Sequence, residues 1–349
     1  MKTEILKIDA ECESLANSLS HAAELIRNGG TVVFPTETVY GLGGDATNPE
    51  SAEKIYRAKG RPADNPLIIH IASPEDAEGY AYTGELYYKL AERFMPGPLT
   101  VILTARDTIP ERTRAGLSTV AVRCPKNEIA RALIYLAGVP IAAPSANLSG
   151  SPSPTNAAHV IDDMDGRVDM IIDGGDAEFG LESTIVKLNS DGSLTLLRPG
   201  AITVDDLLTV TANVSIASAV TEKLAEGEHP LSPGMKYRHY APRASVVLLD
   251  GEAAGAIEYI KAGGKERIAI IAYDEDIPSY RIAFKGAVIY SFGAREDKLS
   301  HANRLFGILR EADKQNFDEI YAPLPKTDGI GLALYNRMIR AAAYKTVKV

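Results

Sequence analysis

Four cations fall within eight residues of the stretch KIYRAKGRPADNPLIIHI (54–71): Lys54, Arg57, Lys59 and Arg61. A helix predicted over 50–59 ends at Gly60 and Pro62, leaving Lys59 and Arg61 over the strand that follows. A lysine point charge beside an arginine fork suits a polyphosphate. The same two side chains would also complement the helix dipole as ordinary C-terminal cations. On that strand, alternation sets Ile68 and His70 against Leu67, Ile69 and Ile71, and a lone strand histidine is by type more often structural than functional. In STVAVRCP (118–125), Thr119, Ala121 and Arg123 lie opposite Val120 and Val122. If buried, Arg123 needs a carboxylate, either a protein Asp or Glu or a ligand.

Two further strands break in the same way. In GGTVVFPTETVYGLGGDA (29–46) an apolar run stops at Pro35 and gives way to Thr36, Glu37, Thr38, Tyr40 and three glycines. The stretch reads as a pocket wall or as a polar turn, with glycines where backbone can approach a ligand. In PIAAPSANLSGSPSPTNAA (140–158) the run ends at Ala143 and Pro144, and Ser145, Asn147 and Ser153 follow. GLESTIV (180–186) adds Glu182, Ser183 and Thr184, and LRPG (197–200) ends a strand with Arg198. Cations and hydroxyls at strand ends fit an anionic ligand held by positioning and electrostatics, without a protein nucleophile. No Gly-Lys-Ser/Thr phosphate loop is present, GIGLAL (329–334) lacks the third glycine of a dinucleotide fingerprint, and no serine sits in a nucleophile elbow.

The elements that must position these residues read as α/β. Strands are predicted at 31–34, 67–71, 99–103, 119–123, 140–143, 168–173, 183–188 and 194–197, with helices near 50–59, 84–94, 126–137 and 155–163. That makes a large mixed sheet with helices over the first 200 or so residues. After residue 243, SVVLLD, RIAIIAY and AVIYSF alternate with helices near 252–262, 296–315 and 331–343, the pattern of a small parallel sheet. The expected organisation is a catalytic domain over 1–208, a linker over 209–243 and a second domain over 244–349. The linker carries Met235, Lys236, Tyr237, Arg238, His239 and Tyr240 in a row, which is unlike a passive tether.

At 349 residues, 45% hydrophobic and 24% charged, the chain has the composition of a globular protein. It has no run of apolar residues long enough for a membrane span and no secretory signal, so a cytoplasmic location is expected. The net charge of −9 argues against extended non-specific nucleic-acid binding. Cys12 and Cys124 are too far apart for a metal site and read as buried thiols.

Taken in order, FPTETVYGLG, KGRPADNPLIIHI, PGPLT, TVAVRCP, PIAAPSANLSGSPSPT, GLESTIV, LRPG and SPGMKYRHYAP resemble the threonylcarbamoyl-AMP synthase family, in its longer two-domain form. The resemblance implies a YrdC-like domain with a large twisted mixed sheet, followed by a small Rossmann-like domain. It implies a nucleotidyltransferase that condenses L-threonine, bicarbonate and ATP, with Mg²⁺ held mainly by the ATP phosphates, and releases pyrophosphate. The product would pass to a transferase machinery that modifies the adenosine beside the anticodon of certain tRNAs. By similarity, Thr36, His70, Arg123, Ala143 and Ser183 hold threonine. Lys59, Arg61, Thr119, Ser145, Asn147, Ser153, Arg198 and Tyr237 contact ATP, with Lys59 and Arg61 stabilising phosphate charge, and the 232–243 segment covers the site. The competing reading is a tRNA or double-stranded RNA binding module, to which the cations at 54–61 would also lend themselves through a weak RNA contact. A carbamoyl-handling domain of hydrogenase-maturation type would need cysteine pairs that this chain lacks.

Overall fold

The computed structural model describes residues 2–8, 14–222 and 240–349. These fall into two units: residues up to 149 with 153–222, and residues 150–152 with 240–349. Among the described residues no helix is long and apolar enough to cross a membrane.

The first unit is built on a twelve-stranded mixed sheet. Its central strands run in the order Val32–Phe34, Gly41–Asp45, Ile141–Ala142, Ile68–His70, Thr119–Arg123, Leu99–Ala105, Thr184–Leu188 and Leu194–Arg198. These strands are short and apolar, and most of their residues are buried, as expected for strands covered on both faces. One core layer forms where the helices Leu15–Arg27 and Glu128–Ala137 pack on this sheet through Leu19, Ala22, Ala23, Ile26, Leu133 and Ile134, against Val32, Phe34 and Ile141. The spacing of three and four in each helix produces that face.

Four strands of this sheet lie outside the sequence expectation: Glu4–Lys7, Gly41–Asp45, Ala81–Tyr82 and Val214–Ile216. Gly41–Asp45 is glycine-rich, and its glycines serve the packing of the sheet. A Cβ on Gly43 would stand 2.7 Å from both the Phe34 ring and Ile141 Cγ2, and one on Gly41 would stand 3.3 Å from Ala143 Cβ. Val214–Ile216 pairs in parallel with Leu194–Arg198 inside the range expected to be linker, so the sheet continues past residue 208.

The second unit is a five-stranded parallel sheet. Its strands stand in the order Val288–Ser291, Ile268–Ala272, Glu319–Pro323, Ser245–Asp250 and Thr346–Lys348. Three of them match the expected SVVLLD, RIAIIAY and AVIYSF. Glu319–Pro323 and Thr346–Lys348 were not expected.

Candidate active site

Strand register gathers residues that are far apart in sequence. His70 stands opposite Arg123 in the parallel pair of Ile68–His70 with Thr119–Arg123. Arg123 stands opposite Thr100, Thr100 opposite Ile185, and Ile185 opposite Arg198. Neighbouring strands lie about 4.8 Å apart, so these residues form one row across the sheet. Ser183 closes the row at the start of its strand. Its Oγ lies 2.8 Å from Thr100 Oγ1 and accepts from Arg198 Nη2 at 3.0 Å, while Arg198 Nε donates to the Ser183 carbonyl at 2.9 Å. Thr119 lies on the same strand face four residues before Arg123, roughly 13 Å along.

Arg123 is 4% exposed, and its protein partner is Glu37, equally buried, at 2.8 Å. Glu37 holds Nη2. The guanidinium is too costly to bury without a counter-charge. Arg123 Nε has no hydrogen-bond partner among the described residues. Burial pushes the Glu37 carboxyl up and the adjacent guanidinium more than offsets it, so the group sits below the usual carboxylate range. His70 is 3% exposed, with Nδ1 3.3 Å from the Ile141 carbonyl and its ring edge-on to Phe34. Burial, reinforced by the Arg123 charge, brings its pKa down to about 3, so the imidazole is neutral at physiological pH.

The Pro35 break makes a tight hydrogen-bonded turn. Thr36 Oγ1 donates to the Val39 carbonyl at 2.6 Å and accepts from the Thr38 and Val39 amides at 3.2 Å. A threonine after a strand end folds back in this way because its hydroxyl can mimic a backbone turn. The Thr36 hydroxyl is thus committed to the turn, and what it offers a ligand is its methyl and backbone. Tyr40, read as pocket wall, is a tie between segments: its hydroxyl donates to the Gly175 carbonyl at 2.6 Å and accepts from the Gly174 amide at 3.2 Å. A cavity of about 480 Å³ reaches Thr36 and Glu37 past Lys126, Asn127 and Arg131.

The second Pro-broken stretch zips onto the first. Leu42 donates to the Pro144 carbonyl and Ala146 to the Tyr40 carbonyl, with Gly41 and Ser145 bridged between them. Ala143 is buried and donates to the Ile68 carbonyl, next to the row. The helix Pro49–Lys59 is capped by Asn48 and ends at Gly60 with φ +62, as the sequence signals require. Lys59 does not stand open over the next strand, as expected. It is 2% exposed and its ammonium donates to the Ser145 and Asn147 carbonyls, and at 3.4 Å to Asn147 Oδ1. A buried ammonium needs oxygens around it, and the 145–147 loop supplies them. Ser145 Oγ donates to Asn147 Oδ1 at 2.5 Å, so Lys59, Ser145 and Asn147 form one cluster. Arg61 is half-buried and donates to the Asn65 and Pro66 carbonyls. Ser153 Oγ donates to Glu182 Oε1 at 2.5 Å, joining the SPSPT stretch to the residue before Ser183.

The structure thus joins His70, Arg123, Ser183 and Arg198 in the row, Lys59, Ser145 and Asn147 in one cluster, and Ser153 to Glu182, with Thr119 further along its strand and Arg61 at the helix exit. Tyr237 and the 232–239 part of the expected cover lie outside the described residues, as does Cys12. Cys124 is buried, its thiol pushed up to about 12 by burial. Glu37, Thr100 and Glu182 complete the set although they were not named as site residues. Glu37 and Glu182 are acids embedded in hydroxyl stretches, a signal that was available; Thr100 is visible only through register.

Comparison with known proteins bears on this geometry. A family model described as telomere recombination matches residues 24–200, and one described as threonylcarbamoyl-AMP synthase, C-terminal domain, matches residues 202–343. The Bacillus subtilis threonylcarbamoyl-AMP synthase is 41% identical, with both chains covered in full. The chain belongs to the threonylcarbamoyl-AMP synthase family. The Pyrococcus abyssi threonylcarbamoyl-AMP synthase is 43% identical over 94% of this chain and 95% of its own. A solved structure of Pyrococcus abyssi Sua5 complexed with L-threonine shares 39% identity at a TM-score of 0.87, with both chains covered in full.

Proposed function

We propose that the protein condenses L-threonine, bicarbonate and ATP into threonylcarbamoyl-AMP with release of pyrophosphate, as a nucleotidyltransferase. The observation that carries the reading is the row His70–Arg123–Thr100 with Ser183 and Arg198, in which a buried guanidinium keeps an unbonded Nε. The threonine carboxylate lies on Arg123 beside Glu37, a charge-assisted contact in a water-poor place. Ser183 and neutral His70 offer hydrogen bonds to the rest of the amino acid, and Thr36 and Ala143 bound it by shape.

The threonine amine adds to the carbon of carbon dioxide and loses a proton, or adds to bicarbonate with departure of water, giving a carbamate. A carbamate oxygen then attacks the α-phosphorus of ATP, the bond to the β-phosphate bridge breaks, and pyrophosphate leaves with the electron pair. This route needs no covalent enzyme intermediate, consistent with the lack of a nucleophile elbow. Lys59 sets a positive charge under the Ser145–Asn147 loop, and Arg61 and Arg198 add theirs, so charge developing on the phosphates meets fixed cations. Ser145, Asn147 and Ser153 hydrogen-bond the nucleotide, and Thr119 serves its distal end, with Tyr237 the remaining ATP contact.

Among the described residues no group of three or more His, Cys, Asp or Glu side chains could hold a metal. A Mg²⁺ ion carried by phosphate oxygens and water would supply charge neutralisation on the nucleotide. The product is an activated acyl donor, suited to a separate transferase that modifies tRNA beside the anticodon.

The test is to incubate the purified chain with ATP, bicarbonate and each amino acid in turn and to follow pyrophosphate. Release that needs both L-threonine and bicarbonate supports the proposal. Threonine-independent release, or none while tRNA binding persists, sinks it.

A further inference from the structure

The parallel sheet of the second unit does not run in sequence order. The chain lays down Ser245–Asp250, then Ile268–Ala272 and Val288–Ser291 in one direction, and returns to insert Glu319–Pro323 between the first two. Right-handed crossovers then put the helices Ala253–Gly263 and Ile277–Ala283 on one face, and Lys298–Asp313 and Gly331–Ala341 on the other. Contacts between the members of each pair agree. The loops leaving Ile268–Ala272 and Glu319–Pro323 therefore diverge to opposite faces, and a crevice opens at the carboxyl ends of the central strands. That is where open α/β sheets bind ligands. A cavity of about 420 Å³ fills the crevice, within the size range of small-molecule sites.

The lining has three chemical parts. Its apolar floor includes Ala256, Ile270, Tyr321 and Leu334. Into this floor comes Tyr280, only 7% exposed, whose hydroxyl has no hydrogen-bond partner among the described residues. That hydroxyl opens on the cavity, where a ligand that enters can hydrogen-bond it in place of water. On the side of the helix Ala253–Gly263 stand Asp250 and Glu252, carboxylates with no ion-pair partner among the described residues. On the side of the other two helices stand Lys298, paired with Asp328, and Lys326, which has no ion-pair partner among the described residues; the lining also holds Glu296 and the ion pair of Arg295 with Asp276. Lys298 is the first residue of its helix, where the dipole also favours an anion.

A simple anion would be repelled by Asp250 and Glu252, and a simple amine by the two lysines. A ligand that carries hydroxyl donors at one end, an anion at the other and a flat heterocycle answers all three parts. We infer that this crevice binds a ribonucleotide, with ribose hydroxyls donating to Asp250 and Glu252, phosphate at Lys298 and Lys326, and the base beside the Tyr280 hydroxyl. The site lies wholly within the second unit and shares no residue with the row at Arg123.

Equilibrium dialysis of the full chain with radiolabelled AMP, without threonine or bicarbonate, tests this. Two classes of site are expected. Tyr280→Phe and Glu252→Gln each weaken one class at least tenfold, leaving the unfolding midpoint and threonine-dependent pyrophosphate release at saturating ATP within twofold of the parent. Lys59→Ala weakens the other class. A single class that responds only to Lys59→Ala overturns the second site and leaves the catalytic assignment standing. A single class that responds only to Tyr280→Phe and Glu252→Gln supports the second site and removes the catalytic assignment. Displacement of AMP from the Tyr280-sensitive class by inorganic pyrophosphate at equal concentration would also overturn the proposal, since it would mark an anion site with no use for a nucleoside.

Discussion

Arg123 and Glu37 share one charge-assisted bond in a place with almost no water, and each depends on the other for its burial. Removing Arg123 takes away the contact for the threonine carboxylate, worth roughly 2–5 kcal/mol. Arg123→Ala should raise the dissociation constant for L-threonine by well over tenfold while moving that for ATP, measured without threonine, by less than threefold; calorimetry reads both, and equal losses would contradict the assignment. Glu37→Gln leaves the guanidinium without its counter-ion, so the threonine carboxylate becomes its main partner. The variant should melt lower than the parent, and saturating L-threonine should raise its melting temperature by more than it raises the parent's. His70 supplies a pH dependence of defined sign. Its folded pKa of about 3 lies below the ordinary 6.5, so the unfolded chain binds the extra proton between those values. The stability it contributes is complete above pH 6.5 and is lost as pH falls toward 3. Between pH 6.5 and 5 the loss approaches about 2 kcal/mol, so denaturant titrations should show a steeper decline for the parent than for His70→Asn. A decline of equal slope would mean that the imidazole is not held neutral.

At the scale of elements, the strand Gly41–Asp45 is the clearest case of a close fit. Gly43→Ala puts a methyl against Phe34 and Ile141 and should destabilise by roughly 1–3 kcal/mol, read as a lower denaturant midpoint. The same strand shows where the sequence was opaque. Glycines carry no hydrophobic alternation, so the period-two signal that revealed TVAVR and LTVIL is missing from GLGGD, and its pairing with Ile141–Ala142 depends on chain 100 residues away. Helices were legible because their ends are written locally: Asn48 with Pro49 opens one helix and Gly60 closes it. Of the candidate site, the residue types at strand ends were legible and their grouping was not. Nothing local says that His70, Arg123, Thr100 and Arg198 share a row, since that follows from which strands become neighbours. Likewise the burial of Lys59 follows from the 145–147 loop closing on it, far along the chain.

For the molecule as a whole, the boundary after the first unit matters most. A chain ending at 208 loses the strand Val214–Ile216 and the buried Ala219 and Val220 beyond it. Burying a valine side chain is worth about 1.5–3 kcal/mol, so a 1–222 fragment should unfold at distinctly higher denaturant than a 1–208 fragment. Coincident midpoints would make the added strand incidental. The net charge of −9 and the cations gathered in Lys59, Arg61, Arg123 and Arg198 coexist because the latter are local and three of the four are nearly buried. Such an arrangement suits a small anionic substrate better than a long polyanion. The central claim, that one active site joins threonine, bicarbonate and the adenylate of ATP, is tested most directly by double labelling. With carbon-labelled bicarbonate and ATP labelled at the α-phosphorus, the account predicts one rapidly trapped product that carries both labels, forms only with L-threonine, and is lost in Arg123→Ala. A doubly labelled product without threonine, or an adenylate that never carries the bicarbonate label, would contradict it.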